Sequence, residues 1–598
     1  MAGTALTAVL VGGAPDIVAS VVTDVVTDVV NAVVTDVVTD QPTPRPASGP
    51  QRRAAPTNTT PSRFSVVEAS ITDMRAALEA GRTTSRDIVQ QSLDRVARYE
   101  GRLNAVIAIN PRAIEQADAL DRERRAGRVR GPLHGIPIAL KDNIHTTDMP
   151  TTGGALAFAR LVPPYEATLT RHLRDAGAII IAKTVLTELA NWVAEGMPTN
   201  YSSLAGFGFN PYDPRPDPRQ ADGRPVLATG GSSSGIGTSA SFWAVNVGTE
   251  TSGSILSPAN QTMLVGIKPT VGRVSRHGVI PITADQDTPG PLARTVTDAA
   301  ILLGALEGAA PDPSDSATQA CPRPPNGDYT RALRSNALTG ARIGIPRAFY
   351  YDGTATPGTR GVTGGLNVVH RRVMSDAIAV LKAQGATVVD PANLPSVVTA
   401  DPGANLLLWS ICSGYGNAKG RDENCSIVLK YGMKRDFTAW LASLGAAAPV
   451  KTLTDLRTWN REHESEGTLK YGQAQLDISD EMDVIRDRAR AMADRAKDVR
   501  LTGAEGIDAA MRAHALDALL FPGATGASVA ARPGYPSVIV PFGTIPSTGA
   551  GPPPANLAPT PAPLGVTFTG GACSEPRLLA LAYAFEQATK RRRPPAMD

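Results

Sequence analysis

Residues 229–259, TGGSSSGIGTSASFWAVNVGTETSGSILSPA, constrain this chain more than any other stretch. Glycine, serine and threonine dominate it, with one short apolar run inside. Such a composition suits either a flexible linker or tightly turned loops at which a backbone is approached closely. A linker would strand Phe242-Trp243-Ala244-Val245 and Ile255-Leu256 in solvent, so that reading fits poorly. A phosphate cradle needs G-x-x-x-x-G-K-[ST], but no lysine follows Gly235 or Gly237, and no G-x-G-x-x-G occurs here. A nucleophile elbow, G-x-S-x-G, matches 231–235 with Ser233 at its centre. It requires a strand directly before it, where the sequence offers only Val226 to Ala228. It also requires an acid and a later histidine, and His277, His370, His463 and His514 do not stand out from their surroundings.

The surrounding chain alternates apolar runs and helical patterns. Strands are predicted at Pro132 to Leu140, Ala178 to Ala182, Leu264 to Ile267, Ile343 to Ile345, Leu519 to Phe521 and Ser537 to Pro541. Helical periodicity covers Phe64 to Glu123, with Ser85 as N-cap for the face formed by Ile88, Val89, Leu93 and Val96. It returns at Val296 to Leu306, Val373 to Gln384 and Glu575 to Arg591. The alternation argues for an α/β domain. Residues 21–40 repeat a Val-Val-Thr-Asp tetrad, and 41–62 hold six prolines. This reads as a low-complexity extension and linker, with the folded domain starting near Arg63. The Pro-rich stretches near 210–225, 311–325 and 546–563 read as surface loops.

A net charge of +3 over 598 residues points to neither nucleic acid nor an acidic partner. The run Lys590 to Arg593 suits the end of a helix, where cations complement the dipole. Seven scattered histidines and the lack of any C-x-x-C pair argue against a metal site. No apolar run reaches the ~18 to 20 residues of a membrane span. The N-terminal region lacks a basic segment, its first charge being Asp16, which argues against a secretory signal and for a cytoplasmic protein. Pairing of Cys412 with Cys425 across the polar turn 413–424 would instead suit an exported one.

The central segment resembles the amidase signature: GGSSSG, a small-residue helix, then GTETSGSI and a proline. With it come GIPIALKDN (135–143), VGIKPTVGRVS (265–275) and DQDTPGPLAR (285–294). The resemblance runs from about residue 64 to 310 and resumes at FPG (521–523), PGYPSVIVP (533–541) and GVTFTG (565–570). It implies one large α/β domain, residues 63–598, with a mixed central sheet covered by helices. It implies hydrolysis of a carbon–nitrogen amide bond in a small molecule or peptide. It assigns Ser254 as the acyl-forming nucleophile and Ser232 as a bridging serine with a cis peptide bond. It assigns Lys141 as the base, and the backbone N–H groups of Thr251, Ser252 and Gly253 to an oxyanion hole. Neither metal nor organic cofactor is called for.

The chemistry stands beside that resemblance. Serine needs a base, and donors must meet the tetrahedral oxyanion. With no credible histidine, a lysine must serve, and it must be neutral; burial at the end of the apolar strand IPIAL favours the neutral amine. A lysine in such a place otherwise reads as one snorkelling from a strand end. Ser233, Ser234 and Ser252 read as hydrogen-bond support for the loops. A cis bond before a residue other than proline costs roughly 2.5 to 4 kcal/mol. Ser232 and Ser254 lie 22 positions apart, about two fewer than is usual in the family, and the shortage falls in the helix Gly237 to Val245. Two residues turn a helix by about 200°, so the difference must be absorbed locally. Leu256 stands where tRNA-dependent amidotransferase subunits carry arginine, which favours the stand-alone, peptide-amidase-like branch. The alternative readings are a non-enzymatic or weakly active relative and a glutamine-amidase subunit.

Overall fold

The computed structural model describes residues 64–547, 554–555 and 557–597; the low-complexity extension expected over 1–62 lies outside them. Eleven strands form one sheet: β1 (Val106–Ile109), β2 (Pro137–Lys141), β3 (Ile179–Thr184), β4 (Val245–Glu250), β5 (Val265–Lys268), β6 (Thr288–Ala293), β7 (Arg342–Gly344), β8 (Thr387–Val389), β9 (Ala518–Pro522), β10 (Ser537–Ile545) and β11 (Ala562–Thr569). Their order is β1-β3-β2-β4-β6-β5-β10-β11-β9-β7-β8. The sheet is mixed: β3, β2 and β4 run parallel, as do β9, β7 and β8, and antiparallel pairs join the two sets. Helices cover it, among them α1 (Ser85–Leu103), α2 (Ile236–Ser239), α3 (Leu256–Gln261), α4 (Val296–Glu307), α5 (Val368–Ala383) and α6 (Glu575–Thr589).

The six predicted strands and the helices near 296, 373 and 575 all occur. The helical reading over 64–123 is interrupted by β1, whose VIAI run is short enough to suit either state. The cap of α1 is Thr84, not Ser85: its hydroxyl accepts the Asp87 amide at 3.0 Å, and the Ser85 amide goes to Asp121 instead. The sequence reading also missed β6, TPGPLA, since proline rarely enters a central strand. Here Pro289 and Pro291 pair with β4 alone; β5 meets β6 only at Leu292 and Ala293, so no ladder bond to β5 is lost at either proline.

The segment between the two signature serines is shorter still than a trimmed helix. Only Ile236–Ser239 is helical, Ser241 takes a left-handed φ of 60°, and β4 begins at Val245. A helix end leaves carbonyls unsatisfied, and three arginines supply donors. Arg294 donates to the Thr238 and Trp243 carbonyls, Arg95 to those of Ala240 and Ser241, and Arg592 to that of Ser239. Arg592 also pairs with Glu68, so the basic run after α6 folds back onto this turn and does more than end a helix. Phe242 and Trp243 are fully buried. A Cβ at Gly237 would sit 2.1 Å from the Trp243 ring.

Cys412 is bonded to Cys425, and Cys321 to Cys573 across 252 residues of sequence; nothing in the spacing announced the second pair. No described helix is long and apolar enough to cross a membrane.

Because indole and glycine share that space, Gly237→Ala will overpack the turn by ~1–3 kcal/mol. Calorimetry should show a lower melting midpoint, recovered in part when Trp243→Phe is added; an unchanged midpoint would show that the turn has slack.

Candidate active site

Parallel strands β2 and β4 end at the same edge of the sheet, with Leu140 in register with Val247, where α/β proteins build their sites. Lys141 therefore meets the end of β4 and the loop after it. Its side chain is fully buried. Nζ lies 2.8 Å from Ser232 Oγ, 2.9 Å from Thr249 Oγ1 and 3.3 Å from the Thr249 carbonyl. Asn143 Nδ2 donates to the same Thr249 hydroxyl at 3.1 Å. Burial brings the Lys141 ammonium down from 10.5 to about 7, while Asp287 and Glu250 pull in the opposite direction.

Two other buried lysines flank the site and differ in kind. Lys183, on β3, forms an ion pair with Asp142 at 2.8 Å and donates to the Pro150 carbonyl and Thr151. Lys268 donates to the carbonyls of Tyr535 and Pro269, and burial lowers it to about 8. Only Lys141 of the three has a serine hydroxyl as partner.

Ser254 sits in the bend between β4 and α3, nearly buried at 9% exposure. The Ser233 amide donates to its carbonyl at 3.1 Å, which ties the two serine loops together. Gly231 makes this approach feasible: its φ is 41°, and a Cβ there would lie 3.0 Å from Ser254 Cα. No hydrogen bond joins the hydroxyls of Ser232 and Ser254. The expected cis bond at Ser232 is also absent: among the described residues the one cis peptide is Asp390–Pro391. With Gly230 and Gly231 both at positive φ, the loop makes its turn at glycine, where left-handed backbone carries no Cβ penalty.

The predicted oxyanion donors lie on one bend, and Gly253 takes a φ of 108°. The Glu250 carboxylate accepts the amides of Ile255 at 2.7 Å and Leu256 at 2.9 Å, and the Gly253 amide also faces it. Thr251 Oγ1 donates to Asp287 at 2.5 Å, and Gln286 Nε2 donates to the Thr251 carbonyl. Asp287 in turn accepts the amides of Ile282 and Thr283, which fixes the bend from behind. Ser233 Oγ donates to the Thr249 carbonyl and accepts the Thr249 amide, and Ser234 Oγ accepts the Ile236 amide; both are support groups. Ser252 is exposed. No strand precedes Gly231, so the elbow geometry is not formed. Thr249, Glu250 and Asp287 were not singled out as contributors by the sequence; each lies within a quoted motif, but nothing in its residue type sets it apart. Among the described residues, no cluster of His, Cys, Asp and Glu is placed to hold a metal ion.

The amidase family model matches residues 87–579. A probable amidase of Arabidopsis thaliana is 34% identical over 541 residues, covering 89% of this chain and 92% of the relative. A glutamyl-tRNA(Gln) amidotransferase subunit from Thermobifida fusca is 37% identical over 350 residues, 58% of this chain and 64% of the relative. Among solved structures, the native peptide amidase of Stenotrophomonas maltophilia superposes with a TM-score of 0.74 at 36% identity, over 89% of this chain and 99% of that one. The matched motifs, the shared sheet and these full-length similarities place the chain in the amidase family.

Proposed function

We propose that this protein hydrolyses a peptide amide through an acyl-enzyme on Ser254, with Ser232 and Lys141 as a proton relay. The observation that carries the reading is the 2.8 Å contact between Lys141 Nζ and Ser232 Oγ in a fully buried setting without a carboxylate at ion-pair distance from the amine. Neutral Lys141 takes the Ser232 proton as Ser232 takes that of Ser254, whose oxygen attacks the carbonyl. Ser232 returns a proton to the departing nitrogen, and water then repeats the path to free the acid. The link between the two hydroxyls closes when substrate occupies the bend, since catalytic hydrogen bonds often tighten only in the loaded site. Of the expected oxyanion donors, the amides of Thr251 and Ser252 face the developing oxyanion, while that of Gly253 is turned to Glu250. Residues 63–598 form this amidase domain, and 1–62 are dispensable for the chemistry. The full-length likeness to a peptide amidase supports a peptide substrate. The amidotransferase reading has the shorter match, and Leu256 stands against it. All four cysteines are paired, which fits an oxidising compartment better than the cytoplasmic placement.

A fluorophosphonate probe should form an adduct at Ser254, mapped by mass spectrometry, and the adduct should be lost in Lys141→Ala. An adduct at Ser233 would revive the elbow; no adduct on folded protein would mark a non-enzymatic relative. Ammonia release from an amidated peptide by the isolated chain separates the peptide reading from a glutamine-handling subunit, which would need partners.

The pH profile follows from the buried amine. Activity should rise as Lys141 loses its proton, with a midpoint near pH 7. Asp287, itself raised to about 6 by burial, is ionised at that midpoint and favours the ammonium. Asp287→Asn should therefore move the midpoint of kcat/KM to lower pH; a move upward would contradict the assignment of Lys141 as base.

A further inference from the structure

A lysine base works only if its lone pair faces the proton it is to take. Lys141 Nζ has three neighbours at hydrogen-bonding distance, and a neutral amine has two N–H bonds and one lone pair. The Thr249 carbonyl can only accept, so it takes one N–H. The remaining N–H and the lone pair are divided between Ser232 Oγ and Thr249 Oγ1, and either hydroxyl can accept or donate. Two arrangements follow. If Thr249 donates, it occupies the lone pair and Lys141 is held inactive. If Thr249 accepts, the lone pair points at Ser232.

We propose that Thr249, braced by Asn143, is a positioning residue that accepts an N–H of Lys141 and so turns its lone pair onto Ser232. Asn143 Nδ2 donates to Thr249 Oγ1 and fixes the threonine rotamer. A small cavity bordered by Asn143, Thr249, Thr251 and Asp287 lies beside that hydroxyl. The carbonyl and hydroxyl of one residue thus hold both N–H bonds of the base. This inference rests on Lys141 being the base. The charged groups that act on that amine are Asp287, in the loop before β6, and Glu250 at the end of β4; the Asp142–Lys183 pair, formed just after β2 and on β3, is closed on itself at 2.8 Å.

The test is the rate of fluorophosphonate labelling at Ser254 against pH, for the full chain and for Thr249→Val and Thr249→Ser. Valine keeps the shape and the carbonyl but removes the acceptor. The plateau rate should fall by about 10- to 100-fold, reaching at most the lower end of the ~10²- to 10⁴-fold that a general base contributes. The midpoint should move to lower pH, because the ammonium loses a partner. Depletion of neutral base would move it the other way, so the pair of changes is diagnostic. Serine should restore both, and unchanged melting midpoints would show that the fold is retained. A Thr249→Val plateau equal to or above wild type would show that threonine had been blocking the lone pair, and would overturn the proposal. So would a midpoint that stays or rises, or serine that fails to restore. Labelling of Lys141→Ala at the wild-type rate would instead overturn the underlying base assignment, whatever the Thr249 variants do.

Discussion

The parallel pairing of β2 with β4 is the constraint on which the site depends. It places Lys141 and Thr249 at one edge of the sheet, on neighbouring strands whose register is held by backbone bonds. Both strands are buried throughout, so water cannot hydrate an ammonium there. Burial of a charge without a partner is costly enough that the group usually gives up the charge. The same apolar packing that stabilises the strands therefore makes a neutral base available from a residue that is ordinarily a cation. Lys183, one strand away, is buried to the same degree but has Asp142 as a partner at 2.8 Å. Two lysines, equally buried, are set apart by what their nitrogen touches.

A second dependency concerns the shortened link from Ser232 to β4. With so little helix, the turn cannot rely on its own ladder to satisfy its carbonyls. Arg294, Arg95 and Arg592 reach it from β6's end, from α1 and from the tail after α6. These elements lie far apart in sequence, so the turn acquires its geometry only when the whole domain has assembled. A shortened helix need not mean a damaged site: Lys141 and Ser232 are joined across it, and Ser233 still bonds the Ser254 loop.

Legibility in the sequence tracked the range of the interactions involved. Strands such as AIIIA at 178–182 were readable because a continuous apolar run has few other fates. The strand β6 was not, because whether Pro289 and Pro291 are tolerated depends on how far β5 extends beside them. The cap of α1 slipped by one residue because Thr84 and Ser85 are both competent acceptors, and Asp121, remote in sequence, claims the Ser85 amide. The cysteine pair 412–425 spans a turn visible in the sequence, whereas 321–573 joins segments 252 residues apart that only the fold brings together. At the site, Lys141, Ser232 and Ser254 stood out through their motifs. The cis bond expected at Ser232 did not form, and Gly230 and Gly231 accomplish the turn with positive φ instead.

The residues left unread at the site share one property: they act on other protein groups. Thr249 holds the amine, Glu250 gathers the amides at the start of α3, and Asp287 anchors the bend through Thr251 and two further amides. Each could be a surface residue by type. Their meaning comes from burial, since a carboxylate or hydroxyl without water must find protein partners, and those partners include the amine of Lys141, the amides at the start of α3 and the Thr251 hydroxyl. A buried polar residue beside a reactive group therefore sets geometry as a condition of being buried at all. That is why the loop holding Ser254 can be rich in glycine and still keep one shape.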